Sequence, residues 1–170
     1  MPTPQAGEEV VLIQTNQGNI VVGFLPDKAP GHVANFKKLV NEGFYNGLKF
    51  HRVITGFMIQ GGCPNTRDGA MGMPGTGGPG YQIPAEFNDT PHDRGILSMA
   101  RSQHPDSAGS QFFLMVAKSP HLDGQYSAFG YVIEGMDVAD KIVALRGPGD
   151  VPTQPCVMES VTVTTWNPEN

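Results

Sequence analysis

Residues 50–62 read FHRVITGFMIQGG, Phe50 to Gly62. Two short runs rich in β-branched and aromatic residues, Leu48 to Ile54 and Phe57 to Gly61, flank Thr55-Gly56. That pattern predicts two strands around a tight turn. Side chains alternate along a strand, so Phe50, Arg52 and Ile54 are expected on one face, an arginine between large apolar neighbours. The second strand brings Phe57, Met58 and Gln60 close behind. Read alone, this is an ordinary strand surface, with an arginine stem lying over apolar groups and its head in water. His51 points to the opposite face and is expected as a hydrogen-bonded core histidine.

Upstream, Glu9 to Thr15 and Gly18 to Leu25 are β-branched runs separated by Asn16-Gln17-Gly18, which reads as a hairpin. Pro30 then sits where the first turn of a helix tolerates proline. Ala29, Val33, Phe36 and Val40 follow at helical spacing, and Gly43 stands where a left-handed cap ends such a helix. Downstream, Gly61 to Gly80 is mostly glycine, proline and small polar residues, a loop long enough to suggest function. Tyr81 to Ile83, Ile96 to Ala100, Phe112 to Val116, Ala128 to Ile133 and Val157 to Thr165 read as further strands. Val138, Ile142 and Leu145 mark a second helix, ended by Gly147-Pro148-Gly149. About eight short strands with two helices and no βαβ alternation favour a closed antiparallel barrel or a sandwich.

The chain has 170 residues, of which 22 are glycine and 15 proline, with 39% apolar. This suits one loop-rich domain with a real core. Residues 1–8 are expected as a flexible tail, 9–166 as the domain and 167–170 as a second tail. Eleven basic against sixteen acidic residues give a net charge of −5. Without a Lys/Arg run, that argues against a nucleic-acid surface. MPTPQAGEE lacks a secretory pattern and no window is long and apolar enough for a membrane span, so a cytoplasmic location is expected. Cys63 and Cys156 are too few for a zinc site and read as free thiols in a reducing compartment.

Other chemistry fares poorly. Gly75-Thr76-Gly77-Gly78-Pro79-Gly80 has the spacing of a dinucleotide loop but leads into Tyr-Gln-Ile-Pro rather than a helix. Asp106-Ser107-Ala108-Gly109, with His51 upstream, imitates a serine nucleophile loop, and a serine-rich turn explains it as well. His92-Asp93 and His104-Asp106 lack the paired spacing of metal ligands and read as surface loop residues.

Beyond these, the sequence resembles the cyclophilin family of peptidyl-prolyl cis–trans isomerases. FHRVITGFMIQGG matches the family's signature, and GILSMA (Gly95 to Ala100), GSQFFL (Gly109 to Leu114), HLDG (His121 to Gly124) and FGYVIEGMDV (Phe129 to Val138) follow in family order. The resemblance runs from about Glu9 to Trp166. It implies a closed eight-stranded antiparallel barrel capped by two α-helices, with the active groove on its outer face. It implies Arg52 as the catalytic arginine, supported by Gln60, and a proline pocket of Phe57, Met58, Phe113 and Leu122. Gln111, Ala100 and the backbone at Arg101 would line the groove beside it.

Three positions depart from the commonest pattern of the family. His121 stands where many members have tryptophan, Arg101 where they have asparagine and Tyr126 where they have histidine. Arg101 can keep a backbone contact to the peptide, and Tyr126 keeps an aromatic wall. His121 implies weakened cyclosporin binding, because that tryptophan contributes to it in the family. No cofactor or metal is implied, since rotation about a C–N bond needs neither. The resemblance thus implies an isomerase that assists folding by acting on proline-containing peptides and unfolded proteins, expected as a monomer and, from the missing secretory pattern, in the cytoplasm. A proline-peptide binding module or holdase chaperone with little turnover is the alternative.

Overall fold

The computed structural model describes residues 3–169. Eight strands make one antiparallel sheet: β1 (Glu9–Thr15), β2 (Gly18–Phe24), β3 (Phe50–Ile54), β4 (Met58–Gly61), β5 (Ile96–Met99), β6 (Phe112–Met115), β7 (Ala128–Glu134) and β8 (Met158–Thr165). Their order is β3-β4-β6-β5-β7-β2-β1-β8, and the sheet curls until its two edge strands meet. The expected closed barrel is closed only lightly. One bridge, Lys49 with Val157, joins the edges, beside hydrogen bonds from Phe50 N–H to Cys156 at 3.0 Å and Met158 N–H to Leu48 at 2.8 Å. Turns up to Gly47 on one side and Pro155, which has no N–H, on the other leave no room for a longer ladder.

Strand alternation separates an inside from an outside. Val53, Ile59, Leu114 and Leu97 lie opposite one another across β3, β4, β6 and β5, and all four are fully buried in the barrel. Two helices, α1 (Pro30–Asn41) and α2 (Met136–Ala144), add Val33, Phe36, Leu39 and Ile142 to that core. Phe36 is its aromatic centre, with ring centroids 5.0 Å from Tyr45, 5.3 Å from Phe112 and 5.2 Å from Phe129. Pro30 opens α1 as the spacing predicts, and a distant residue caps it. The Glu86 carboxylate accepts from the N–H groups of Gly31 at 3.1 Å and His32 at 2.7 Å, where the helix leaves donors unpaired.

Two local expectations need correction. Phe50 does not share a face with Arg52. The register shifts between them, so β3 carries one residue more than β4 at this point, a β-bulge at His51. Phe50 therefore turns into the barrel core, 1% exposed, while Arg52 stays outside. His51, the extra residue, is half-buried with its Nδ1 unpartnered, not a hydrogen-bonded core group. Tyr81 to Ile83 forms no strand beyond a single bridge from Ile83 to Ala108, because Gly80 and Pro84 enclose it. At the chain ends, Gly7 N–H donates to Trp166 at 3.0 Å and Trp166 N–H to Glu8 at 2.8 Å, continuing the β1–β8 pairing.

Candidate active site

Across the sheet, Arg52 faces Gln60, Gln60 faces Phe113 and Phe113 faces Ser98. Opposed residues share a sheet face, so one row carries a cation, an amide, an aromatic ring and a hydroxyl on the side away from the barrel core. There a second apolar cluster forms, built from Met58, Ile96, Phe113, Met115, Leu122 and Ala128. Loop residues Phe57, Ala100 and Tyr126 pack against it and leave a slot of about 140 Å³. Arg52, Gln60 and Arg101 complete its lining, together with Met58, Phe113 and Leu122.

Nine of the eleven site residues expected from the sequence thus meet at one cavity. The other two stand beside it. Gln111 lines an adjoining groove of about 630 Å³, which shares Gln60, Ala100 and Arg101 with the slot and runs on along Gly75 to Tyr81. The exposed His121 lies at the rim, its ring 5.9 Å from Phe57 at an interplanar angle of 34°.

The Arg52 guanidinium is exposed and keeps its charge free. Its Nη1 donates to Gln60 Oε1 at 3.4 Å, and Gln60 Nε2 donates to Gln111 Oε1 at 3.0 Å. Arg94 and Arg146 pair with Asp140 and Asp150, whereas Arg52 has no carboxylate partner among the described residues. A cation held by an amide at the mouth of an apolar slot retains N–H groups for a guest.

The slot walls are tied from behind. Tyr126 meets Phe113 edge-on at 5.5 Å and 86°. The Arg101 guanidinium lies 4.6 Å over Tyr126 and 5.8 Å from Phe87. Its Nε and Nη2 donate to the Gln125 carbonyl at 3.2 and 2.8 Å, and its Nη1 to that of Ser102 at 3.0 Å. The sequence suggested only a backbone role for Arg101. Its side chain clamps the loop that carries Tyr126.

His92 was expected on a surface loop and is instead 1% exposed. It stacks on Phe113 at 6.2 Å and 22°, with Nε2 at 2.9 Å from Ser98 Oγ and Nδ1 at 3.2 Å from Asp123 Oδ1. Burial lowers its pKa against the opposing pull of Asp123. The His92 N–H groups in turn hold the Asp123 carboxyl below the usual carboxylate range. Serine, histidine and aspartate line up here, but Ser98 is fully buried, so the line supports the Phe113 wall and reaches no substrate. Ser107, the serine weighed from the sequence, donates to the His104 carbonyl at 2.6 Å and faces no imidazole. The glycine-rich stretch leads into irregular chain, with no helix to hold a pyrophosphate.

A family model described as cyclophilin type peptidyl-prolyl cis-trans isomerase matches residues 10–163. The chain belongs to that family. Among relatives of this cyclophilin, a probable peptidyl-prolyl cis-trans isomerase of Brucella abortus is 49% identical over 140 residues, 79% of this chain and 71% of the relative. Peptidyl-prolyl cis-trans isomerase B of Bacillus subtilis is 52% identical over 116 residues, covering 67% of this chain and 76% of the relative. A Cryptosporidium parvum cyclophilin solved in the presence of the dipeptide Ala-Pro superposes with a TM-score of 0.84 at 30% identity, covering 92% of this chain and 99% of that one. The three departures named from the sequence stand at the slot in two places, Arg101 packed on Tyr126 in its lining and His121 beside Phe57 at its rim.

Proposed function

We propose that the family's reaction, cis–trans isomerisation of X–Pro bonds, takes place with the proline ring in the 140 Å³ slot and Arg52 at its mouth. The observation that carries this reading is the Arg52 guanidinium, lining the slot with no carboxylate on it among the described residues. Amide resonance gives the bond a barrier of about 18–20 kcal/mol, and rotation takes tens to hundreds of seconds unaided. Speeding this by about five decades takes roughly 7 kcal/mol of preferential transition-state binding.

Two effects contribute. In the twisted state the imide nitrogen loses conjugation and gains a lone pair. Arg52, permanently charged and forked, donates to that nitrogen or holds the neighbouring carbonyl. A hydrogen bond from a charged donor supplies roughly 1.5–3 kcal/mol, so it does not suffice alone. Phe57, Met58, Phe113, Leu122 and Tyr126 grip the ring while the preceding carbonyl swings, away from the water that favours the planar, more polar amide. Gln60 keeps the guanidinium turned to the slot. The groove past Ala100 and Gln111 takes the extended chain before the proline.

Proline-containing segments of unfolded or folding proteins are the substrates on this reading. The Ala-Pro dipeptide with the Cryptosporidium neighbour supports it. Among the described residues no helix is long and apolar enough to cross a membrane. Two free, buried thiols fit the reducing cytoplasm read from the sequence. Arg52→Ala tests the mechanism. Arg52 is exposed, so the fold is retained, while kcat/KM for an X–Pro peptide falls at least about 100-fold, near 2.7 kcal/mol. Unchanged turnover in that variant removes Arg52 from the reaction, and wild-type protein that binds the peptide without speeding exchange is the holdase.

A further inference from the structure

The glycine-rich stretch that fails as a nucleotide loop has a different use. Gln111 Nε2 donates to the carbonyls of Gly75 and Gly77, both at 2.9 Å. Carbonyl oxygens only accept, which fixes the Gln111 amide with its NH2 toward the loop and its oxygen toward Gln60. Gln60 Nε2 donates to that oxygen at 3.0 Å, and Gln60 Oε1 is left to accept from Arg52. The polarity of both glutamines is thus set by two backbone carbonyls in the loop.

The loop segment is itself pinned from its other side. The N–H groups of Gly75 and Gly77 both point to Cys63 Sγ, each at 3.3 Å. Cys63 is fully buried just past the end of β4 and cannot drift, because its carbonyl accepts from Thr66 N–H at 3.0 Å and Thr66 Oγ1 at 2.7 Å. The segment also needs its glycines. Gly75 has φ +95°, and a Cβ on Gly77 would lie 2.9 Å from Asn65 Nδ2 and 3.0 Å from Pro64 Cγ.

We propose that Cys63 is a positioning residue for the isomerase: its sulfur holds Gly75–Gly77 so that Gln111, then Gln60, present Arg52 to the slot. The inference rests on the reading of Arg52 given above. The brace begins at the end of β4 and returns to β3, so the sheet fixes both ends and only the loop between them can slip. Sulfur is a weak acceptor, but the fully buried Cys63 presents it to two loop donors at once, so the pair of bonds holds the segment.

The test compares Cys63→Ala and Cys63→Ser in wild-type and Arg52→Ala backgrounds, with cis–trans exchange on an X–Pro tetrapeptide. Cys63→Ala removes the acceptor and is expected to lower kcat about 10-fold with KM changed less than about 3-fold, since the apolar slot is untouched and only the groove wall shifts. Cys63→Ser keeps an oxygen that accepts both N–H groups and is expected to restore activity to within about 3-fold. In the Arg52→Ala background, Cys63→Ala is expected to cost less than about 2-fold more. Folded Cys63→Ala with wild-type kcat overturns the proposal, as does an equal loss in both backgrounds. Should Cys63→Ala not fold, Gly77→Ala displaces the loop without entering the core and must show the same loss of kcat and the same dependence on Arg52. Failure of the Arg52 reading is separate, because it appears as activity retained by Arg52→Ala alone.

Discussion

The slot and the groove lie side by side and share Gln60, Ala100 and Arg101, yet they are built from opposite materials. The slot, about 140 Å³, is walled by apolar and aromatic side chains whose rings are held by neighbours behind them. The groove, about 630 Å³, mixes polar side chains such as Gln60, Arg101 and Ser102 with five glycines, Gly75, Gly77, Gly78, Gly80 and Gly109, whose main chain is open to a guest. On the proposed reading, shape discriminates in the slot, while open main chain pairs with the substrate's main chain in the groove. On that reading, such an enzyme is expected to be strict about proline and tolerant of what precedes it.

Substrate variation tests that contrast most sharply. Replacing proline in a tetrapeptide by its six-membered-ring homologue adds one methylene to a closely fitted apolar slot, which lowers kcat/KM by at least about 10-fold. Changing a side chain two or three residues before the proline changes it by less than about 3-fold. Equal sensitivity at both positions, measured on one peptide series, breaks the distinction. At the rim, His121→Trp extends the apolar wall beside Phe57. It tightens cyclosporin inhibition by about 10-fold, in line with an added aromatic contact of about 1.5 kcal/mol, with little change in peptide turnover. Inhibition constants for both proteins check this.

A smaller effect is expected at the clamp where the two regions join. Arg101→Lys keeps the charge but loses the fork over Tyr126 and its bonds to the Gln125 and Ser102 carbonyls. The aromatic wall loosens and KM rises about 3-fold, comparable to an exposed cation–π contact of 0.5–1 kcal/mol. An unchanged KM shows that Tyr126 keeps its place without the clamp.

The slot was far more legible in the sequence than the groove. Its residues sit on strands whose alternation is written locally: in Phe112–Phe113–Leu114–Met115 the even-numbered side chains enter the barrel and the odd-numbered ones the second cluster that backs the slot. The resemblance then gave each of them a role. What stayed hidden depends on partners distant in the chain. The bulge at His51 cannot be read from FHRVI, because a two-against-one pairing is a property of both strands. Nor does any local pattern join Ser98 and His92 to Asp123, or carry Cys63 across the loop to Gly75 and Gly77. Loop geometry is set by these long-range bonds and not by the propensities of glycine and proline. The one signal available for the brace was the length of the loop itself.

Two buried histidines also give the fold a pH signature, His92 behind the Phe113 wall of the slot and His32 at the start of α1. Burial lowers the pKa of His92, opposed by Asp123 and Asp93, with His121 adding to the lowering. Burial likewise lowers that of His32, opposed by the Pro84 carbonyl and by Glu86. For each, the folded value lies below the unfolded value of about 6.5, so the unfolded chain takes the proton first. Stability is then full above about pH 6.5 and declines as pH falls toward the folded values. The melting temperature at pH 5.5 is expected a few degrees below that at pH 7.5, and His92→Gln should flatten part of this slope. A carboxylate origin would put the decline lower, starting near the unfolded aspartate value of about 3.9, because the His92 N–H groups hold folded Asp123 below it. A melting temperature constant from pH 7.5 to 5.5 would mean that His92 and His32 take up protons as readily folded as unfolded, and that Phe113 rests on a support that titration does not disturb.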